Sequence, residues 1–237
     1  MECPRFTEHT VDLLDRPFRI ADSRSFFFSY REIFVEEIYR FNCDTPAPRI
    51  VDCGSNFGTS IVYFKNLFPS ARITGVEADP GIFSLLRSNT SHLDVELLNK
   101  AVSDTREPLT FFSEGSDSGR AHHAIETGKT VQVQAVTLDD LIDGSVDFLK
   151  IDIEGSEGDA IEACTKLALV KQMFIEYHSF KDSEQTLGRL LSRLSNEGFR
   201  YYIHKQFCSP APLTIEATQL GMDLQLNIFA KRVDLLD

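Results

Sequence analysis

Arg49–Gly58, R-I-V-D-C-G-S-N-F-G, sets the frame in which the rest of the chain is read. A short apolar run (Ile50, Val51) ends in an acid, Asp52. Two glycines follow, Gly54 and Gly58, and an amphipathic segment opens at Thr59. That order is strand, tight turn, helix N-terminus. Glycine suits the turn because, lacking a Cβ, it tolerates positive φ and lets a ligand approach the backbone. The helix start beyond it offers unpaired N–H groups to a polar ligand. Alone, D-x-G-x-x-x-G is equally a plain loop. A second acid tips the balance: Glu77 closes the next apolar run, Ile73–Val76, 25 residues after Asp52. A carboxylate at the tip of a second strand is where nucleotide-binding α/β folds grip ribose hydroxyls. The glycine spacing departs from G-x-G-x-x-G, which points away from NAD and toward another adenosine-containing cofactor.

Downstream, apolar strands alternate with helical periodicity. Ser60–Leu67 predicts a helix stopped at Pro69, Pro80-Gly81 a turn, Ile82–Ser88 a helix, and Val95–Leu98 a third strand followed by Asn99–Ala101. Val146–Glu157, V-D-F-L-K-I-D-I-E-G-S-E, repeats the first pattern: a buried strand ends in Asp152, and Glu154, Gly155 and Glu157 open a helix. Three acids so close need helix capping or a cationic ligand. Glu157 suits the helix N-terminus, whereas Asp152 sits where the reactive part of a ligand should lie. Gln172–Tyr177 is a further strand tipped by His178, a general-base candidate facing the same crevice. Leu187–Glu197 reads as a helix ended by Gly198. The β runs Phe199–His204 and Leu224–Lys231 lack an intervening helix and pair antiparallel. The expected architecture is α/β: about five parallel strands with helices on both faces and a closing antiparallel hairpin. Ligands of such sheets bind beyond the carboxyl ends of the strands, where Asp52, Glu77 and Asn99–Ala101 all fall.

The flanks read differently. Residues 1–24 are polar, broken by Pro4 and Pro17, and predict an arm with little regular structure. Ser25–Phe41 is an amphipathic helix that either covers a sheet edge or serves as a lid. Residues 1–45 thus stand as arm and lid, and 46–237 as the main domain. Leu109–Phe112 and Val131–Val136 are short β-like runs around a polar loop, Glu114–Lys129, whose His122-His123 pair lacks a third metal ligand. Thr137-Leu138-Asp139-Asp140 caps a short helix. The net charge of −12 disfavours a nucleic-acid footprint, which needs clustered Lys and Arg. Five scattered cysteines without C-x-x-C spacing predict buried thiols in a reducing compartment, not a disulfide frame or zinc site. With no signal pattern and no apolar run of membrane-spanning length, the expected location is cytoplasmic.

In order and with natural spacing, several strings resemble the FkbM-type methyltransferases, a branch of the S-adenosylmethionine-dependent class I fold. They are V-D-C-G-S-N-F-G (51–58), G-V-E-A-D-P (75–80), L-N-K-A-V-S-D (98–104), V-T-L-D-D-L (136–141), V-D-F-L-K-I-D-I-E-G-S-E (146–157), F-I-E-Y-H (174–178) and E-G-F (197–199). The resemblance spans roughly residues 46–205 and implies a Rossmann-like, seven-stranded sheet whose last strand inserts antiparallel. It also implies O-methylation of a hydroxyl on a small natural product or sugar. Carried over residue by residue, it implies that Gly54, Ser55 and Asn56 line the methionine part of S-adenosyl-L-methionine, and Gly58 is expected among the cofactor-binding residues. Asp52 would orient the amino group, directly or through water, Glu77 would take the ribose hydroxyls, Asn99–Ala101 would flank the adenine, and Ala78 is expected among the cofactor-binding residues. Asp152 would lie beside the sulfonium. Separately from the resemblance, the position of His178 makes it the expected general base, with Asp152 assisting it or holding the substrate hydroxyl. No metal is called for; a divalent ion at Asp152 and neighbouring carboxylates is the lesser alternative. Rival readings are an N- or carboxyl-methyltransferase and a non-catalytic cofactor-binding subunit. Acceptor identity and oligomeric state are not written in these motifs.

Overall fold

The computed structural model describes residues 7–113 and 129–235, and these organise around one seven-stranded sheet. The described chain opens with a hairpin, β1 (His9–Leu13) and β2 (Arg16–Ile20), followed by α1 (Ser23–Tyr30) and a π-helical turn, Arg31–Val35. Then come β3 (Arg49–Cys53), α2 (Thr59–Leu67), β4 (Arg72–Val76), α3 (Pro80–Asn89) and β5 (Glu96–Leu98). Outside the main sheet lie β6 (Ala101–Val102), β7 (Leu109–Ser113), β8 (Lys129–Val133), β9 (Ala135–Val136) and α4 (Leu138–Leu141). The last third comprises β10 (Val146–Ile151), α5 (Glu157–Ala163), β11 (Val170–Phe180), α6 (Leu187–Asn196), β12 (Phe199–Cys208) and β13 (Met222–Arg232).

The strand order is β12-β13-β11-β10-β3-β4-β5. From β11 to β5 every pairing is parallel, and β13 runs antiparallel between β11 and β12. This is the expected α/β architecture, including the antiparallel insertion of the last strand. All six residues of β10 are buried, as a central parallel strand covered on both faces requires. Successive side chains alternate between two cores. Ile50, Phe148 and Phe174 join α2 on one face, and Val51, Leu149 and Ile175 join α5 and α6 on the other. Each fully buried aliphatic side chain contributes about 1.5–3 kcal/mol.

Four expectations are corrected. Residues 9–20 are a hairpin, not an irregular arm. Its two-residue turn, Leu14-Asp15, has positive φ at both positions (52° and 60°) without the Asn-Gly signal that usually marks such turns. The hairpin is docked: Asn89 Oδ1 accepts from Arg19 N, and Asn89 Nδ2 donates to Arg19 O and Phe57 O, each at 2.8 Å. The helix expected over 25–41 is capped earlier, by Asp22, and stops after Val35 with Glu37 at positive φ. Its sequel packs as chain rather than helix, with Tyr39 and Phe41 against Phe64, Phe148 and Phe174. In addition, 131–136 is two strands in two small sheets: β8 pairs antiparallel with β7, and β9 parallel with β6. The polar loop from Glu114, with His122 and His123, lies outside the described residues up to residue 128. The Pro80-Gly81 turn is instead the first turn of α3, capped by Asp79. The Thr137–Asp140 capping box is present as read. Among the described residues no helix is long and apolar enough to cross a membrane.

Candidate cofactor and active site

The turn after β3 is built by backbone geometry. Gly54 has φ 82°, and a Cβ there would lie 1.8 Å from the carbonyl oxygen of Asp152. The glycine therefore lets two strand ends, β3 and β10, close on each other. The amides of Gly54 and Ser55 both donate to Val76 O at 2.9 Å, fixing the turn to β4. Asn56, with φ 48°, donates its N–H to Glu77 Oε2 at 2.9 Å, while Glu77 Oε1 accepts from Asp79 N at 2.8 Å. Asn99 Nδ2 donates to the carbonyl oxygens of Glu77 and Ala78 at 2.9 and 3.0 Å. The residues expected around the cofactor's methionine, ribose and adenine parts, Gly54–Asn56, Glu77-Ala78 and Asn99, are thus one hydrogen-bonded unit. Ala101 is buried beside them with Ala78 packed against it. At Gly58 a Cβ would stand 2.9 Å from Leu86 and 3.1 Å from Thr90, so the glycine lets α2 approach α3.

Asp52 has no exposed surface. Its Oδ2 accepts from Ser60 Oγ at 2.5 Å, and its Oδ1 lies 3.3 Å from Lys150 Nζ. Asp52 therefore underlies the loop, with its carboxylate turned to Ser60 and Lys150. Lys150 donates to Gly54 O at 2.7 Å and lies 3.3 Å from Asp152 Oδ2, so one ammonium joins both acids to the turn. Burial pulls this ammonium's pKa down. Asp52 and Asp152 overcome that, and it is held well above the usual lysine value.

On neighbouring β11, which runs on to Phe180 rather than ending before His178 as expected, His178 is buried, and its Nδ1 faces Glu157 Oε1 at 3.0 Å. Glu157 is itself fully buried, and the same oxygen accepts from Ile153 N and Gly155 N at 3.1 and 3.0 Å. It stands in the first turn of α5 as the sequence suggested, but its carboxylate turns back to brace the Asp152–Gly155 turn against β11. Glu154 and Gly155 belong to that turn, at positive φ, and not to the helix. On the far side of the ring, Nε2 lies 3.8 Å from Glu176 Oε1 and 4.0 Å from Glu154 Oε2. Asp152, Glu154 and His178 each bring one ligand atom into a cluster no wider than 4.8 Å. The two expected catalytic residues are therefore side by side.

The electrostatics follow from crowding acids in a sheltered place. Burial, and then the nearby Asp152, push Glu176 up to about 8. Burial pushes Glu77 up to about 7, against the pull of the Asp79 and Asn56 amides. Burial works against a charged His178, but Glu157 and Glu154 outweigh it and hold the imidazolium well above the ordinary histidine value. Glu32, from the π-helical turn, is raised by burial and feels Asp152 as well. A surplus of carboxylates thus rings the edge where β10 and β11 end.

Four of these residues escaped the sequence reading in whole or in part. Lys150 had a signal: a lysine inside an otherwise apolar buried strand must have charged partners. Glu176 had one too, since residues two apart on a strand share a face with His178. Glu157 was seen only as a helix starter, and Glu32 carried no local signal.

The model of the methyltransferase FkbM domain matches residues 52–201, more than half of the 237. The 2-O-methyltransferase NoeI of Sinorhizobium fredii (strain NBRC 101917 / NGR234) is 28% identical over 169 residues, 62% of this chain and 69% of NoeI. Methyltransferase FkbM from Methylobacillus flagellatus KT shares the fold with a TM-score of 0.52 at 17% identity, over 85% of this chain and 47% of that one. TYW2 of M. jannaschii, solved in complex with AdoMet, does so with a TM-score of 0.52 at 10% identity, over 98% and 90% of the two chains. By the family match and the shared architecture, this chain belongs to the FkbM methyltransferases, S-adenosylmethionine-dependent proteins of the class I fold.

Proposed function

We propose that this chain moves the methyl group of S-adenosyl-L-methionine onto a hydroxyl of a small natural product or sugar. The observation that carries the reading is the meeting of Asp152, Glu154 and His178 at the carboxyl edge of the sheet, beside the Gly54 turn. Similarity to NoeI, a 2-O-methyltransferase, supports oxygen as the acceptor atom. The chain's net charge of −12 supports a small acceptor over a nucleic acid.

S-adenosyl-L-methionine would supply an electrophilic methyl on a positively charged sulfur. The chain's part is to hold that charge and aim an acceptor at it. Glu32, Asp152 and Glu154 provide a negative surface suited to a sulfonium. Gly54–Asn56, Glu77 and Asn99–Ala101 would grip the rest of the cofactor. An acceptor oxygen held in line with the methyl gains up to roughly 7–11 kcal/mol from alignment. With cofactor and acceptor bound, the His178–carboxylate cluster would be the group placed to take the hydroxyl proton, on Asp152 or Glu154 while the ring is charged.

The deciding experiment incubates the purified chain with methyl-labelled S-adenosylmethionine and panels of hydroxylated, amine and carboxylic acid acceptors. Label and S-adenosylhomocysteine should appear with the hydroxylated panel. Label confined to amines or carboxylic acids replaces the reading with N- or carboxyl-methylation. Saturable S-adenosylhomocysteine binding without turnover on any panel leaves a non-catalytic cofactor-binding subunit.

A further inference from the structure

The spacing around His178 is unusual for a hydrogen-bonded cluster. Its Nδ1 is committed to Glu157 at 3.0 Å, yet Nε2, buried with the rest of the ring, stands 3.8 and 4.0 Å from Glu176 and Glu154. Those separations are too long for hydrogen bonds. The ring nitrogen's hydrogen-bond-range contact among the described residues is Gln225 Nε2 at 3.4 Å, and that amide is already engaged with Glu176 at 2.5 Å. Two ligands on one ion with bonds of about 2.0–2.2 Å lie at most about 4.4 Å apart. Nε2 and Glu154 Oε2, 4.0 Å apart, fall within that reach; Asp152, within 4.8 Å of both, needs a side-chain shift of no more than about 0.4 Å to join them.

The support behind the histidine has the matching form. A metal-bound imidazole typically passes its other ring N–H to a carboxylate that fixes tautomer and orientation. Glu157 does this from full burial, and its accepting oxygen is itself held by the amides of Ile153 and Gly155. The same carboxylate that orients His178 therefore shapes the turn that presents Asp152 and Glu154. We propose that Asp152, Glu154 and His178 Nε2 form a binding site for one divalent cation, with Glu157 as the orienting carboxylate behind the ring. Two carboxylates and one imidazole suit a manganese-like or magnesium-like ion with water in the remaining positions. The binding claim stands on this geometry alone. Its use, drawing an acceptor oxygen to the reacting edge and easing loss of its proton, rests on the methyl-transfer reading.

The test strips the full chain with chelator, titrates it with manganese chloride, and counts free ion by electron paramagnetic resonance. S-adenosylhomocysteine binding is measured by calorimetry on the same samples. The wild-type chain should take up one manganese per molecule. Glu154→Gln and His178→Ala should each lose most of that affinity, and Glu157→Gln should weaken it by about 10–100-fold. Because Glu157 is buried, folding of each variant is verified by its thermal transition, and Glu154→Gln serves as the decisive variant if Glu157→Gln unfolds. Absence of saturable manganese binding overturns the proposal, as does binding that all three variants retain. If S-adenosylhomocysteine binds while manganese does not, the cation site falls and the methyl-donor reading survives. If manganese binds as expected and S-adenosylhomocysteine does not, the cation site stands and the methyl-donor reading falls.

Discussion

Lys150 Nζ donates to the carbonyl oxygen of Gly54 at 2.7 Å while lying 3.3 Å from both Asp52 and Asp152. One buried ammonium thereby ties two strand ends and the turn between them. Replacing it with Met keeps the volume but leaves Asp52 buried with its charge uncompensated. Lys150→Met should cost about 3–5 kcal/mol of stability, the range for breaking a buried ion pair from one side. Adding Asp52→Asn should recover part of that loss. Urea unfolding of both variants measures it, and a loss under 1 kcal/mol for the single variant contradicts this role for Lys150.

Gly54 and Asp152 are in backbone contact, so the turn has no room for a methyl group. Gly54→Ala would place Cβ 1.8 Å from Asp152 O on a backbone with φ 82°. S-adenosylhomocysteine binding should disappear, and the thermal transition should fall. Gly144→Ala is the control, because a Cβ there meets nothing within 4 Å. It should stay within about 0.5 kcal/mol of wild type. Equal behaviour of the two variants would refute the packing argument.

The raised acids make stability depend on pH with a definite sign. Glu77 titrates near 7 in the folded chain, above its ordinary 4.5, so protonation favours the folded state. That contribution is complete below about 4.5 and is lost as pH rises through about 7. Glu176, pushed to about 8, acts in the same direction. The raised His178 does too, losing its contribution as pH climbs through its folded-state value. Without added cofactor, the melting temperature should therefore fall between pH 6 and pH 9. Glu77→Gln should flatten the lower part of that decline, and melting curves that keep the wild-type slope would remove Glu77 as its source.

The β1–β2 turn holds two ordinary residues at positive φ. Leucine resists that conformation, whereas Asn-Gly is the pair that such two-residue turns favour. Leu14→Asn with Asp15→Gly should raise stability by about 1 kcal/mol. Chemical denaturation reads the change, and a loss of stability would mean that Leu14, about half exposed, packs more than its surroundings show.

Much of the fold was legible because it is written in local patterns. V-D-C-G-S-N-F-G and D-F-L-K-I-D-I-E-G each encode strand, acid, turn and helix within a dozen residues. Their periodicity was enough to place the parallel strands and the loops at their carboxyl ends. The hairpin at 9–20 was not legible, because its turn breaks the usual residue preference and its stability comes from Asn89 and Phe57, far along the chain. The helix at 25–41 was overread for a related reason. Tyr39 and Phe41 keep helical spacing, yet their packing against Phe148 and Phe174 prevails over that periodicity.

Sequence alone placed Asp52, Glu77 and Asp152 at strand ends, since those follow from hydrophobic runs and turn residues, whereas His178, expected at a tip, lies inside β11, which continues to Phe180. What each of the four does was decided by tertiary structure. Asp52 turned inward to Lys150 and Ser60, Glu77 took up the loop amides, and His178 was clasped by Glu157 among acids from separate elements. The reason is physical: a charge's surroundings depend on distances across the sheet, and those separations exist only once β3, β4, β10 and β11 have assembled side by side.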